Sequence, residues 1–189
     1  MPFEGAVVVR EVDRGDGSRW RLVEPLAYQG RDELFVVPTG FETDFASVPR
    51  AFTWLIPRYG RYTKAAILHD FLCRRASEGA IAWADADGIF RRTMRELGVP
   101  LLRRWLMWGA VRLHSIATKD PSSLWSQGAP AFTQLVLVTV LGGAFLLPPA
   151  VVVTVWTMMF TVAEAVAYLP ARVLGRDTRV NPPRPTLPR

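Results

Sequence analysis

Cysteine is almost absent from this chain: Cys73 stands alone among 189 residues. An intrachain disulfide framework is therefore excluded, and so is a four-cysteine zinc site. Lysine is confined to Lys64 and Lys119, which leaves arginine to supply nearly all of the basic charge. The first sixteen residues lack the basic start and apolar core of a secretion signal, so the first domain is expected to stay on the side of synthesis or to travel by another route. No phosphate-binding loop, dinucleotide fingerprint, helix-turn-helix, zinc finger or RNA-binding signature is present, and no specific nucleic-acid partner is expected. Ser47 has no GxSxG context, which argues against a nucleophile elbow. Charge is missing too from one long stretch: between Phe132 and Leu169 the sequence carries only Glu164.

What is present is apolar and basic. Half the residues are hydrophobic, seven are Trp, and the formal net charge is +6. A basic balance suits anionic lipid or nucleic acid, and it is equally the habit of a GC-rich genome.

The first sixty residues read as strands and turns. Ala6 to Val9 is a short β-branched run, Asp13 to Ser18 a turn cluster, and Trp20 to Val23 the returning strand. Leu34 to Val37 forms a third strand, closed by Pro38. A small antiparallel sheet follows from this pattern. Three helices come next. Thr63 to Ala76 pairs Ile67 with Phe71 and Leu68 with Leu72 at i,i+4. Ile81 to Leu97 has an apolar face of Trp83, Ala86, Phe90 and Met94, and Gly98 and Pro100 stop it. Leu101 to Ala117 carries Trp105, Trp108 and Val111. The expected fold class is thus α+β: a small sheet, a three-helix region, then a C-terminal apolar module.

That module divides into Ala131 to Leu147 and Ala150 to Leu169, separated by Pro148-Pro149. About 17–20 apolar residues suffice to cross a bilayer, so the pair reads as a transmembrane helical hairpin. Arg172, Arg176, Arg179, Arg184 and Arg189 follow the second run, which places both termini in the cytoplasm by the positive-inside rule. A soluble hairpin covered by a partner and a re-entrant loop are the other readings. The organisation expected is an α+β domain over residues 1–118, a linker over 119–130, the hairpin over 131–170, and a disordered basic, Pro-rich tail over 171–189.

Candidate chemistry centres on His69, Asp70, Asp87 and Asp44. His69 sits mid-helix, and its ring nitrogens need partners. Asp70 points about 100° around the helix from His69 and is not its natural partner. Asp87 lies on the apolar face of the second helix, four residues after Trp83 and three before Phe90, where a carboxylate needs a counter-group. Asp44 belongs to the loop Gly40 to Arg50. Three readings of this cluster stay open. His69 acts as a general base oriented by a carboxylate; Asp70 and Asp44 hold a hard cation such as calcium; or the group is a satisfied buried network that docks loop and helices. With the last reading no cofactor is needed. Cys73, one turn from His69, reads first as core, and His114 as a solvent-facing residue near its helix end.

The run Thr43-Asp44-Phe45-Ala46-Ser47-Val48-Pro49-Arg50 resembles the hallmark of the domain of unknown function 1353. Ala65-Ala66-Ile67-Leu68-His69-Asp70-Phe71-Leu72 is similar to that family's second block, and Ala86-Asp87-Gly88-Ile89-Phe90, with Met94 downstream, to its third. The likeness covers Phe3 to Ser115. It implies a phage- or prophage-associated protein; taken with the apolar module, the reading is an accessory protein with the lipid bilayer and other phage or envelope proteins as partners and a role in host lysis, envelope interaction or virion assembly. Cys73 departs from the aromatic usual at that position, and the apolar module lies outside the family domain. His69-Asp70 is also similar to the His-Asp pair of secreted calcium-dependent phospholipases, although the glycine loop and flanking cysteines are missing. That likeness implies the alternative of a membrane-tethered, phospholipase-like hydrolase with calcium.

Overall fold

The computed structural model describes residues 3–13, 18–31, 33–45, 48, 52–121 and 128–173. Ser47, residues 122–127 of the expected linker and residues 174–189 of the expected tail lie outside the described residues.

The β region builds two three-stranded antiparallel sheets rather than one. In the first, β4 (Leu26–Gln29) lies between β1 (Phe3–Glu4) and β5 (Leu34–Val37). Tyr28 pairs with Phe35 and Leu26 with Val37, and these four are buried while their neighbours Leu34 and Val36 face outward. Period-two alternation puts one face of this sheet in the core. In the second, β3 (Ser18–Leu22) lies between β2 (Val9–Asp13) and β6 (Glu42–Thr43), with Trp20 opposite Thr43. The β-branched run from Ala6 reaches strand geometry only at Val9, because the chain first turns at Gly5, which has a φ of +83°. That left-handed conformation is open to glycine and costly for most residues. The two-residue strands β1 and β6 are too short to announce themselves by periodicity.

The three expected helices form close to their expected bounds: α1 (Thr63–Ser77), α2 (Trp83–Glu96) and α3 (Leu101–Thr118). Gly98 terminates α2 with a φ of +69°; its N–H donates to Arg95, and the Val99 N–H donates to Met94. These bonds satisfy carbonyls that the helix end would leave open. Two apolar clusters meet at the helices. Ile67, Leu68, Leu72, Ala86 and Ile89 pack on the sheet residues Leu26, Tyr28, Phe35 and Val37. On the other side, Ala65, Ala66, Phe90 and Met94 pack against Val99, Met107 and Trp108. So α1 and α2 form the middle layer between sheet and α3.

The expected hairpin is not what the structure contains. α4 (Gly128–Val173) is a single 46-residue helix, about 69 Å long at the usual rise, and it runs through Pro148-Pro149 without a reversal. A proline ring fixes φ at a value the helix already uses, so the pair deletes two i→i−4 bonds without forcing a turn. Neither a glycine nor a polar loop follows to complete a reversal. The cytoplasmic placement of both termini rested on the hairpin and has no support from one span.

The first turns of α4 dock on α3. A Cβ at Gly109 would lie 2.6 Å from Val138, and one at Gly142 would lie 2.6 Å from Leu106, so both glycines permit close helix approach. Beyond that contact α4 is mostly apolar and largely exposed, with Ala150 buried and Glu164 its one charge before residue 169. Leu141, Phe145, Val152, Trp156, Phe160 and Val166 are each more than half exposed. Thr154, Thr157 and Thr161 turn their hydroxyls back to donate to the carbonyls four residues earlier. Residues 132–168 form one helix long and apolar enough to cross a membrane by length and composition, with a mean hydropathy of 2.3.

Candidate functional site

Helical geometry brings His69 of α1 and Asp87 of α2 together. The His69 Nε2 lies 3.0 Å from Asp87 Oδ1, and its ring lies against Phe90 with centroids 4.6 Å apart. Asp87 is wholly buried. Its Oδ1 also accepts from Ser115 Oγ at 3.4 Å, and its Oδ2 faces Arg112 Nη1 at 3.5 Å, both from α3. Arg112 is itself 3% exposed. One carboxylate therefore ties three helices through two cations and a hydroxyl. A buried charge needs this kind of surrounding, since the desolvation it suffers is several kcal/mol per ion (order of magnitude).

Cys73, one turn along α1, places its Sγ 3.5 Å from His69 Nε2 and 3.8 Å from Nδ1. Burial pushes the imidazole toward neutrality. The hydrogen bonds to Asp87 and then Cys73, with the Cys73 and Asp87 charges, outweigh it and raise the His69 pKa to about 10. His69 is thus an imidazolium at neutral pH, with its side chain only 12% exposed.

Asp70 and Asp44 form a separate group. Thr43 Oγ1 donates to Asp70 Oδ2 at 2.5 Å and accepts from the Phe45 N–H at 2.9 Å. Phe45 has a φ of +64°, a left-handed position that turns the chain so that Thr43 and Phe45 point inward and Asp44 outward. Burial raises the Asp70 pKa to about 7; the Thr43 bond and the His69 charge oppose that, and the Asp44 charge adds to it. Arg74, one turn on from Asp70, lays its guanidinium 4.6 Å over the Phe41 ring, and its charge also opposes the rise of the Asp70 pKa. The four polar candidates therefore do not form one cluster. His69 and Asp87 share the helix interface, whereas Asp70 and Asp44 sit at the β6 turn. Among the described residues no group of three or more His, Cys, Asp or Glu side chains is arranged to hold a metal ion.

Sequence reasoning missed Arg112, Ser115 and Thr43. A signal existed for the first two: Arg112 and Ser115 follow the buried Trp108 at four and seven residues, so they lie on the inward stripe of α3. Thr43 adjoins Asp44, and only the turn at Phe45 shows that it is the inward residue of the pair. His114 is exposed and pairs with Thr118 on its own helix.

Comparison with known proteins adds a family likeness. No solved structure matches the chain. A curated relative, the uncharacterized protein y4jT of Sinorhizobium fredii (strain NBRC 101917 / NGR234), is 39% identical over 77 residues. The alignment covers 40% of this chain and 22% of the relative, so the chain spans less than a quarter of that protein. Residues 20–111, from β3 into α3 and including all four polar candidates but none of α4, match the family described as "Protein of unknown function (DUF1353)".

Proposed function

We propose that this chain is a membrane-held protein whose α+β domain serves as a docking or binding module rather than as a catalyst. The exposed apolar surface of α4 carries the proposal. Contiguous apolar patches of more than a few hundred Å² do not persist in water without a partner or a membrane. The stretch 132–168 exceeds the roughly 20 residues that a span requires. Its first turns are therefore free to lie on α3 while the rest crosses lipid. The threonine hydroxyls bonded to their own helix suit a medium without water. Carbonate extraction of membranes from cells making the full chain tests this directly. We expect the protein in the pellet; recovery in the supernatant would overturn the anchor.

The resemblance of residues 43–50, 65–72 and 86–90 to the phage-associated domain directs the reading further, toward an accessory role in lysis, envelope interaction or virion assembly beside other phage or envelope proteins. This part rests on the resemblance alone.

The His69 arrangement weighs against the tethered-hydrolase alternative. A general base must be neutral at its working pH, whereas His69 is held protonated and its Nε2 is committed to Asp87. Calcium at Asp70 and Asp44 would require both to be ionised, and burial pushes Asp70 the other way. A lipase assay with and without calcium separates the readings. Calcium-dependent turnover lost in His69→Gln, with the fold intact, would restore the hydrolase.

A further inference from the structure

On the side of α2 away from the sheet, an open cleft of about 480 Å³ lies where α2, α3 and α4 meet. From α2 it is lined by Gly88, Arg91, Arg92 and Arg95, which recur on one face at helical spacing. Arg104 and Trp105 of α3 form a second wall, and Gln134 of α4 a third. Arg91 is held in place by two rings, its guanidinium 5.0 Å from the centroid of Trp105 and 4.7 Å from that of Trp108. No carboxylate lines the cleft, and among the described residues none of its four arginines makes an ion pair with Asp or Glu. Burial, and then the neighbouring Arg104 and Arg95, lower the pKa of Arg91. Four like charges gathered around one hollow repel one another, and folding tolerates that best where an anion completes the group.

We propose that this cleft binds the phosphoryl headgroup of an anionic phospholipid belonging to the bilayer that holds α4. The inference rests on the membrane reading above and adds the ligand class. Guanidinium forks match phosphate oxygens two at a time, which a lysine cannot do. The Gln134 amide supplies a neutral donor, and Trp105 supplies the flat apolar wall common where protein meets lipid headgroups. Arg104 and Trp105 lie within two residues of Leu106, which meets α4 at Gly142 where the docked turns end, so this wall of the cleft stands beside the start of the bare apolar stretch. A soluble phosphate offers the same chemistry without the chains.

The test uses the full chain in neutral detergent, examined by native mass spectrometry with phosphatidylglycerol, phosphatidylcholine or inorganic phosphate added. The wild type should retain one phosphatidylglycerol in preference to phosphatidylcholine. Arg95→Gln combined with Arg104→Gln spares the Arg91–Trp stack and should weaken retention roughly thirtyfold, at about fivefold for each charge. Gly88→Leu keeps every charge. A Cβ at Gly88 meets no atom within 4 Å, so the leucine fills the cleft without a backbone clash, and it should displace the lipid as well. Equal retention by wild type and both variants, or no preference for phosphatidylglycerol with no binding of phosphate, would overturn the proposal. Phosphate raising the melting temperature of the wild type but not of the variants, without lipid retention, would keep the phosphoryl chemistry and overturn the lipid source. Carbonate extraction reports separately: a chain found in the supernatant whose cleft still binds phosphate defeats the anchor and not the cleft.

Discussion

The helix interface around Asp87 and the distal half of α4 stand at opposite extremes of solvation. The first buries a carboxylate, a guanidinium and an imidazolium inside a protein core. The second presents Trp156, Phe160 and Val166 to its surroundings on every side. Each is costly in isolation. Charges without water need partners placed within hydrogen-bond reach, and the domain provides them from three helices. Apolar side chains without a core need a different solvent, and nothing within the described residues provides it. The difference teaches that the domain is self-sufficient in its polar network, whereas α4 is incomplete until something apolar surrounds it.

Breaking the first extreme should produce the largest effect. Asp87→Ala leaves Arg112 and His69 buried without their counter-charge, and we expect a loss of about 3–5 kcal/mol in the unfolding free energy by denaturant titration. A loss below about 1 kcal/mol would mean that water already reaches the site.

The next effect is a pH dependence. The folded pKa of His69 is raised above its ordinary 6.5, to about 10. Its contribution to stability is then complete below pH 6.5 and lost as pH rises toward 10. The unfolding free energy from denaturant titrations should fall across that window by an amount on the order of a few kcal/mol, and His69→Gln should flatten the slope. An unchanged slope in the variant would remove His69 as its source.

Asp70 works in the same direction at lower pH. Its pKa is raised from 3.8 to about 7, so the stability that it contributes in its protonated form is present below pH 3.8 and disappears on the way to pH 7. Asp70→Asn keeps the acceptor for Thr43 without the charge. It should therefore stabilise the protein at pH 8 by about 1–2 kcal/mol and have little effect at pH 4. Destabilisation at pH 8 would show that Asp70 is ionised and paired.

The smallest effect sharpens the boundary between the two regions. Gly109→Ala would place a methyl 2.6 Å from Val138, and we expect a cost of about 1 kcal/mol as the α3–α4 contact opens. Crosslinking between cysteines introduced on these two helices should fall, while membrane extraction stays as it is in the wild type. A variant unchanged in both would show that α4 docks elsewhere.

Much of the domain was legible because its helices obey strong local rules. Gly98 with Pro100, and the i,i+4 pairs of α1, report backbone geometry that few alternatives satisfy. The pairing of His69 with Asp87 was legible for the same reason: each falls on an inward stripe, and a buried carboxylate needs a cation. Two-residue strands such as β1 and β6 hold too few side chains to show a period, so only their partners across the sheet define them. Asp44 and Thr43 are adjacent in the chain, and the left-handed turn at Phe45 decides which faces inward. The hairpin misled because proline is read first as a breaker, whereas its φ is also helical, and the pair stands inside one continuous apolar helix.

By itself, then, the sequence determined what is set over one or two helical turns: three amphipathic helices, their stops, a stretch of membrane-crossing length with a single charge, and a histidine in need of a carboxylate. Tertiary structure decided which groups separated by dozens of residues share one environment. It added Arg112 and Ser115 to Asp87, moved Asp70 and Asp44 into a group of their own, kept α4 in one piece, and gathered four arginines from two helices around one hollow. Local patterns report the solvent each side chain prefers, but only the packed chain determines which other side chains supply it.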